Sequence, residues 1–113
     1  MPDSTPSAAA DAPSSAAVPT LPFTLLAKAL GEPLRWAILR ELASGERLMV
    51  IEIAARTGKS SDLVSKHLAV LRKVGLAEKK QRLYSMPPEF IDNPERRALD
   101  LGYCVLRLDT LPD

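Results

Sequence analysis

The side chains best suited to binding chemistry lie in the stretch 60–75, SSDLVSKHLAVLRKVG. At the helical spacing of about 100° per residue, Val64, Leu68 and Leu71 fall on one line, which is the stripe that a helix buries. The opposite side carries short, polar or basic side chains: Asp62, Ser65, Lys66, Ala69 and Lys73, with Arg72 at its margin. Such a side allows close approach to a phosphate-rich surface. The pattern therefore predicts a helix that packs on one side and lies on a partner with the other.

The positive charge of the chain is concentrated in the same region. The whole chain of 113 residues has a net charge of only +1. Between positions 59 and 82, seven basic residues stand against two acidic ones, Asp62 and Glu78, so this segment carries +5 and the remainder −4. The basic residues are Lys59, Lys66, Arg72, Lys73, Lys79, Lys80 and Arg82. This distribution favours a polyanionic partner.

A second short helix is predicted just before this stretch. The sequence VIEIAARTG, from Val50 to Gly58, has helical character, and Gly58 suits the left-handed conformation that ends a helix. Two helices joined by a short, glycine-containing turn at Lys59-Ser60 form a helix-turn-helix. An ordinary helical hairpin in a small bundle has the same spacing, so the motif alone leaves both interpretations open.

Two further helices are predicted upstream. A short one covers 22–30, and Pro33 opens the next, in which Leu34, Ile38 and Leu42 repeat at helical spacing before Gly45. Trp36 falls off this stripe. It is expected either to pack against the first helix or to lie at a contact with another subunit.

A small hairpin is predicted after the long helix. The segments 76–80 and 82–86 are expected to pair around Lys80-Gln81-Arg82, although this turn lacks the Gly or Asn that two-residue hairpins prefer. The apolar run 48–50 is long enough for one or two strand pairs with it.

The C-terminal region favours a single strand. Leu99, Leu101, Tyr103 and Val105 alternate with polar or small residues, and a glycine lies inside the run. Such a strand is expected either to extend the sheet formed by 48–50 and the hairpin or to pair with its copy in a second subunit. The connector 87–97, with three prolines, is expected to be irregular.

Composition argues against several other classes of protein. The first 20 residues are rich in Ala, Pro and Ser and are expected to form a disordered tail. Cys104 and His67 lack a third orienting group, so we expect a buried Cys104, a packed structural His67 and no catalytic residue. A single cysteine and the lack of a signal peptide or membrane span predict a cytoplasmic protein. No glycine-rich phosphate loop, paired carboxylates or HExxH-type run is present, so we expect a protein that is not an enzyme and has no cofactor.

The order of these motifs resembles winged-helix regulators of the ArsR-like class. The resemblance rests on Leu-Gly-Glu-Pro-Leu-Arg (30–35), Ile-Leu-Arg (38–40), Glu-Ile-Ala (52–54), Val-Ser-Lys-His-Leu (64–68) and Gly-Leu (75–76). It implies a transcriptional regulator, usually a homodimer, whose 60–75 helix enters the major groove of double-stranded DNA while the hairpin, or wing, touches the backbone. The predicted fold is mainly α with a small β-hairpin, a winged helix-turn-helix over 21–86, followed by a connector and an additional strand over 87–113.

The site residues follow from this placement. The base-reading set is expected to be Ser61, Asp62, Ser65, Lys66 and Ala69. The phosphate-binding set is expected to be Lys59, Ser60, Arg72, Lys73, Lys79, Lys80 and Arg82. The homodimer is expected to form through the C-terminal strand, through apolar residues of the first helix, or through both; those residues are Phe23, Leu25, Leu26 and Leu30.

The sequence departs from the class in three places. Sensory members often bind a metal through two cysteines one residue apart, but Met49 and Ile51 occupy those positions, so no metal is expected. The wing is shorter than usual and lacks a tip glycine, and the class commonly ends in a helix where a strand is predicted here. A winged-helix module that binds protein, and no DNA, is the alternative; Asp62 favours it mildly, because a carboxylate repels phosphate.

Overall fold

The structure is a computed structural model that describes residues 20–112. These residues form four α-helices, five short strands and two 3₁₀ helices, Pro88–Phe90 and Leu108–Thr110. The predicted tail falls almost wholly outside these residues. The helices are α1 (Phe23–Ala29), α2 (Pro33–Leu42), α3 (Val50–Thr57) and α4 (Ser61–Val74). The strands are β1 (Glu78–Lys80), β2 (Leu83–Ser85), β3 (Ile91–Asn93), β4 (Ala98–Asp100) and β5 (Val105–Arg107).

Helix α4 has the bounds and the buried side that its sequence predicts. The Ser60 hydroxyl accepts a hydrogen bond from the Leu63 N–H at 3.2 Å, which satisfies one of the free amides of the first turn. Gly75 ends the helix in the left-handed conformation with φ +104°. The apolar stripe is buried in the core, through Val64, Leu68, Leu71 and Val74.

Helix α3 packs against α4 and completes the helix-turn-helix. The Glu52 carboxylate accepts a 2.8 Å hydrogen bond from the Met49 N–H, and this closes the first turn of α3. Gly58 has φ +71° and ends the helix three residues before α4 begins. Ile53 and Ala54 are the residues of α3 that enter the core.

Helices α1 and α2 are joined by a tight connection. A carboxylate oxygen of Glu32 accepts from the Leu34 N–H, and Pro33 occupies the first helical position, where its missing N–H costs nothing. The Trp36 indole N–H donates to the carbonyl of Leu30 at 2.7 Å. Trp36 therefore packs against the end of the first helix, which is one of the two positions predicted for it.

The predicted hairpin is present as β1 and β2. The strands pair antiparallel, with Lys80 opposite Leu83, so Gln81 and Arg82 form a two-residue turn. Gln81 takes the positive φ, +59°, that a glycine would adopt more easily. The run 48–50 contributes a single bridge, in which Leu48 exchanges both backbone hydrogen bonds with Tyr84.

The C-terminal region differs from its prediction. In place of one strand, β4 and β5 form an antiparallel hairpin, and Gly102 turns the chain between them with φ +86°. The predicted irregular connector contains a short 3₁₀ helix (Pro88–Phe90) and strand β3, which pairs with β4. The partner of the C-terminal strand is thus within the same chain, and the three-stranded sheet is separate from the wing.

The burial predicted for Cys104 is wrong. Cys104 is exposed because it lies at the end of the turn between β4 and β5 and not inside a strand. Desolvation by its neighbours and the Asp100 carboxylate raise the pKa of its thiol. The thiol is therefore not activated as a nucleophile.

The fold class is confirmed as a mainly helical winged helix-turn-helix with small antiparallel sheets. Within residues 20–112, no helix is long and apolar enough to cross a membrane.

The core stripe of α4 can be tested by truncating one of its residues. Leu68 is fully buried, so Leu68→Ala should lower the free energy of unfolding by about 2–5 kcal/mol. Leu63 on the same helix is 39% exposed, and Leu63→Ala should cost less than about 1 kcal/mol. Urea unfolding of both variants measures the difference. Equal losses would mean that α4 is rotated from the orientation described.

Candidate nucleic-acid interface

The outer side of α4 presents a continuous exposed face. Residues three and four apart on a helix are neighbours, so the five predicted base-reading residues form one strip along its N-terminal half. All five are exposed: Ser61, Asp62, Ser65, Lys66 and Ala69. Helix α4 has 14 residues and is therefore about 21 Å long, and only small or flexible side chains stand on this face. A helix with such a face can enter the major groove of double-stranded DNA, which is wide enough to admit a helix.

The seven basic side chains of segment 59–82 are exposed and have no ionic partner among the described residues. We call them the basic surface: Lys59, Lys66, Arg72, Lys73, Lys79, Lys80 and Arg82. The two acidic residues of the segment, Asp62 and Glu78, are also exposed but form no ion pair with them in this region. The positive charge of the segment is therefore not neutralised within the fold.

Two basic residues of α2 and α3, in contrast, form ion pairs within the fold. Arg56 of α3 lies 3.0 Å from Glu46 and 3.6 Å from Glu41, and Arg40 lies 3.6 Å from Glu41. The hydrogen bond and charge of Arg56 lower the pKa of the Glu46 carboxyl. Arg40 and Arg56 thus have structural roles, within α2 and between α2 and α3. The cations of α4 and the wing, in contrast, have no ionic partner among the described residues.

The wing holds its cations at a defined place despite its short length. The Lys79 ammonium stands 5.4 Å from the centroid of the Tyr84 ring, a cation–π contact across the hairpin. Lys80, Gln81 and Arg82 are exposed at the tip. The strands have three residues each, so the wing is short.

Ser60, at the start of α4, caps the helix and keeps a hydrogen-bond donor. The Ser60 hydroxyl accepts from the backbone, but a hydroxyl also carries one donor, which is left for an external acceptor. Asp62 lies in the first turn, where the positive end of the helix dipole favours a carboxylate. Asp62 therefore has a stabilising role in the helix that is independent of any partner.

A link between three helices involves Arg35, to which the sequence assigned no role. Its Nε donates to Nδ1 of His67 on α4 at 3.1 Å, and its Nη1 donates to the carbonyl of Ala29 at the end of α1 at 3.2 Å. His67 is half-buried, as expected of a packed histidine. Desolvation, followed by the charge of Arg35, lowers the pKa of His67. No local pattern in the sequence joins Arg35 to His67, which lie 32 positions apart.

Arg47 adds another exposed cation that was not predicted for the interface. It precedes Leu48, whose bridge to Tyr84 places it beside the wing, where it lines a shallow depression with Lys80 and Gln81. Arg47 could have been assigned to the interface only from the pairing of Leu48 with Tyr84. The sequence alone does not indicate which residues of the two segments pair.

The metal-binding positions of sensory regulators carry exposed apolar side chains here, Met49 and Ile51. Among the residues that the structure describes, no group of three or more His, Cys, Asp or Glu side chains is arranged to hold a metal ion.

A comparison with family models matches residues 32–79 to the bacterial regulatory protein, arsR family. Residues 32–79, less than half of the chain, are thus similar to an ArsR-family helix-turn-helix domain. No curated protein and no solved structure matches the chain significantly.

The ArsR-family domain covers α2, α3, α4 and the first residues of the wing. The match supports a DNA-binding transcriptional regulator. Helix α1 and the three-stranded sheet lie outside the matched residues.

The Arg35–His67 hydrogen bond predicts a pH dependence of stability. Nδ1 accepts only when the imidazole is neutral, and the pKa of His67 is lower in the folded state than its usual value of about 6.5. Below about pH 6.5 the unfolded chain binds the proton first, so stability should fall as the pH drops through the lowered pKa.

Urea unfolding at pH 7.5 and 5.5 measures this dependence. His67 is the only histidine, so His67→Gln should remove most of the loss between the two pH values. An equal loss in the variant would assign the pH dependence to other groups.

Proposed function

We propose that the protein is a sequence-specific regulator, a repressor, that binds double-stranded DNA with α4 in the major groove and the wing on the flanking backbone. The observation that carries the proposal is the basic surface: seven exposed cations without ionic partners in the described fold, on and around α4, whose other side is buried in the core. Phosphate is the partner that such a surface binds with a gain from counterion release.

The exposed N-terminal half of α4 is proposed to read base edges. Ser65 and Lys66 carry the donors for this, since Lys pairs with the guanine O6 and N7 acceptors and Ser with either kind of partner. Asp62 can accept from the amino group of cytosine, and Ala69 can contact a thymine methyl group. Ser61 completes this set at the helix start. The proposal rests on their shared exposed face.

The remaining cations are proposed to fix the register on the backbone. Lys59 and Ser60 precede α4, Arg72 and Lys73 lie in its last turn, and the wing supplies the others. Long flexible cations meet phosphates without reading sequence. The phosphate set is Lys59, Ser60, Arg72, Lys73, Lys79, Lys80 and Arg82.

The two sets should respond differently to substitution. Lys66→Ala or Ser65→Ala should cost about 1–3 kcal/mol on the preferred DNA site and little on random DNA. Lys80→Ala or Arg82→Ala should weaken both equally and make the log-affinity versus log-salt slope shallower by about 0.9 for each phosphate that the variant no longer neutralises. Titrations on both duplexes at several salt concentrations measure these effects.

Lys28→Ala is the matched control, because Lys28 is an exposed lysine of α1 outside the proposed interface. It should leave affinity and salt slope unchanged. Unchanged discrimination in the Lys66 and Ser65 variants would contradict the placement of α4. Absence of salt-dependent DNA binding in the natural protein would favour a protein-binding module.

We also propose that the protein acts as a homodimer. Phe23 of α1 and Tyr103 of the C-terminal sheet are 60% and 44% exposed, and their rings lie 5.1 Å apart. The Tyr103 hydroxyl donates to the carbonyl of Leu21, which holds the pair in place. Leu25 and Val105 are also exposed, whereas Leu26, expected at the contact, is buried in the core. These apolar side chains favour a contact between copies.

In this proposal, the protein represses by occupying its DNA site. A dimer seated on two successive major-groove turns would exclude other proteins from that stretch of DNA.

Phe23→Asp should weaken the dimer at least about tenfold, since a carboxylate would be buried in an apolar contact. Sedimentation velocity over a range of concentrations measures the dissociation constant. Thr24→Asp, the next exposed position on α1, is the control for added charge. A Phe23→Asp protein that dimerises like the natural one would remove α1 from the contact.

A further inference from the structure

A groove between the start of α3 and the wing has a composition that DNA binding alone does not require. Its lining, which we call the wing groove, consists of Met49, Val50, Ile51, Lys79, Arg82 and Tyr84. Its volume of about 240 Å³ is below the range of about 300–1,000 Å³ typical of drug-sized ligand sites. The groove therefore suits a small molecule.

One side of the wing groove is apolar and open to water. Ile51 is 64% exposed and Met49 is 39% exposed, although both are large hydrophobic side chains. They stand at the first turn of α3, whose core contacts are made by other residues, Ile53 and Ala54. Most of the Ile51 side chain and part of the Met49 side chain therefore remain in contact with water instead of the core.

The other side of the groove is cationic. Lys79 is held over the Tyr84 ring at 5.4 Å, and Arg82 lines the same groove from the tip of the wing. Neither cation has an ionic partner among residues 20–112. An apolar wall facing two free cations is complementary to an organic anion whose body is apolar.

We propose that the wing groove binds a small amphipathic carboxylate, with the carboxylate on Lys79 and Arg82 and the apolar body on Met49 and Ile51. The binding step itself is independent of the proposed function. The effect of the ligand on DNA binding, however, rests on the proposed function. The ligand neutralises Lys79 and Arg82, which are also proposed to bind DNA phosphates, so ligand and DNA weaken each other's binding. The carboxylate is therefore an inducer, which releases the regulator from DNA.

The direct test uses octanoate as the probe on the full chain. Titration followed by ¹⁵N–¹H NMR should give saturable shifts at positions 49–51, 79 and 82, with a dissociation constant on the order of 1 mM for a ligand of this size. Acetate lacks the apolar body and 1-octanol lacks the charge, so each should bind at least about tenfold more weakly. Saturable shifts centred elsewhere, or equal binding of 1-octanol, would overturn the proposal.

The matched variant is Ile51→Ser, at an exposed position outside both DNA-binding sets. It should weaken octanoate at least about fivefold, because the serine side chain removes apolar surface from the wall, and leave DNA affinity within about twofold. Octanoate binding that is unchanged in Ile51→Ser would contradict the assigned wall.

The regulatory consequence is measured on DNA. Saturating octanoate should lower DNA affinity about tenfold and make the salt slope shallower by about 1.8, the value for two phosphates. Unchanged DNA affinity with octanoate bound would overturn the inducer role. If octanoate binds the groove but the protein never binds DNA, the proposed function fails and the site stands.

Discussion

The structure depends on the burial of one side of α4. Val64, Leu68, Leu71 and Val74 are at or near zero exposure, and α1, α2 and α3 all pack on this helix. Burial of four such side chains contributes several kcal/mol, a large part of the roughly 5–15 kcal/mol that stabilises a domain. Because this burial fixes the rotation of α4 about its axis, it also fixes which side chains face outward.

The cations of the molecule divide in a similar way, into those paired within the fold and those that face outward. Cations on α2 and α3 are used within the fold, as in the Arg56 pairs with Glu41 and Glu46. Cations on α4 and the wing are left unpaired in the described chain, although Glu78 and Asp62 are near them in sequence. Mutual repulsion on this surface costs stability, and a polyanion would relieve it. The charge arrangement thus agrees with the DNA binding proposed from the family match.

The sequence predicted the helices well because their signals are local. Ser60 and Gly75 bound α4, and Gly58 ends α3, through backbone chemistry that each residue carries itself. The prediction was less successful where pairing decided the outcome. Gly102 was taken as a glycine within a strand but forms a turn, which divided the strand and exposed Cys104. The Leu48–Tyr84 bridge and the Arg35–His67 hydrogen bond join residues 36 and 32 positions apart, and no local pattern specifies such pairs.

The central claim is that the exposed side of α4 reads a DNA sequence. Selection of bound duplexes from a random pool by the purified full chain tests it most directly. We expect enrichment of one motif with two-fold related half-sites about one helical turn, 10–10.5 base pairs, apart. Recovery of duplexes without a common sequence would show binding by charge alone, and recovery of none would contradict the account.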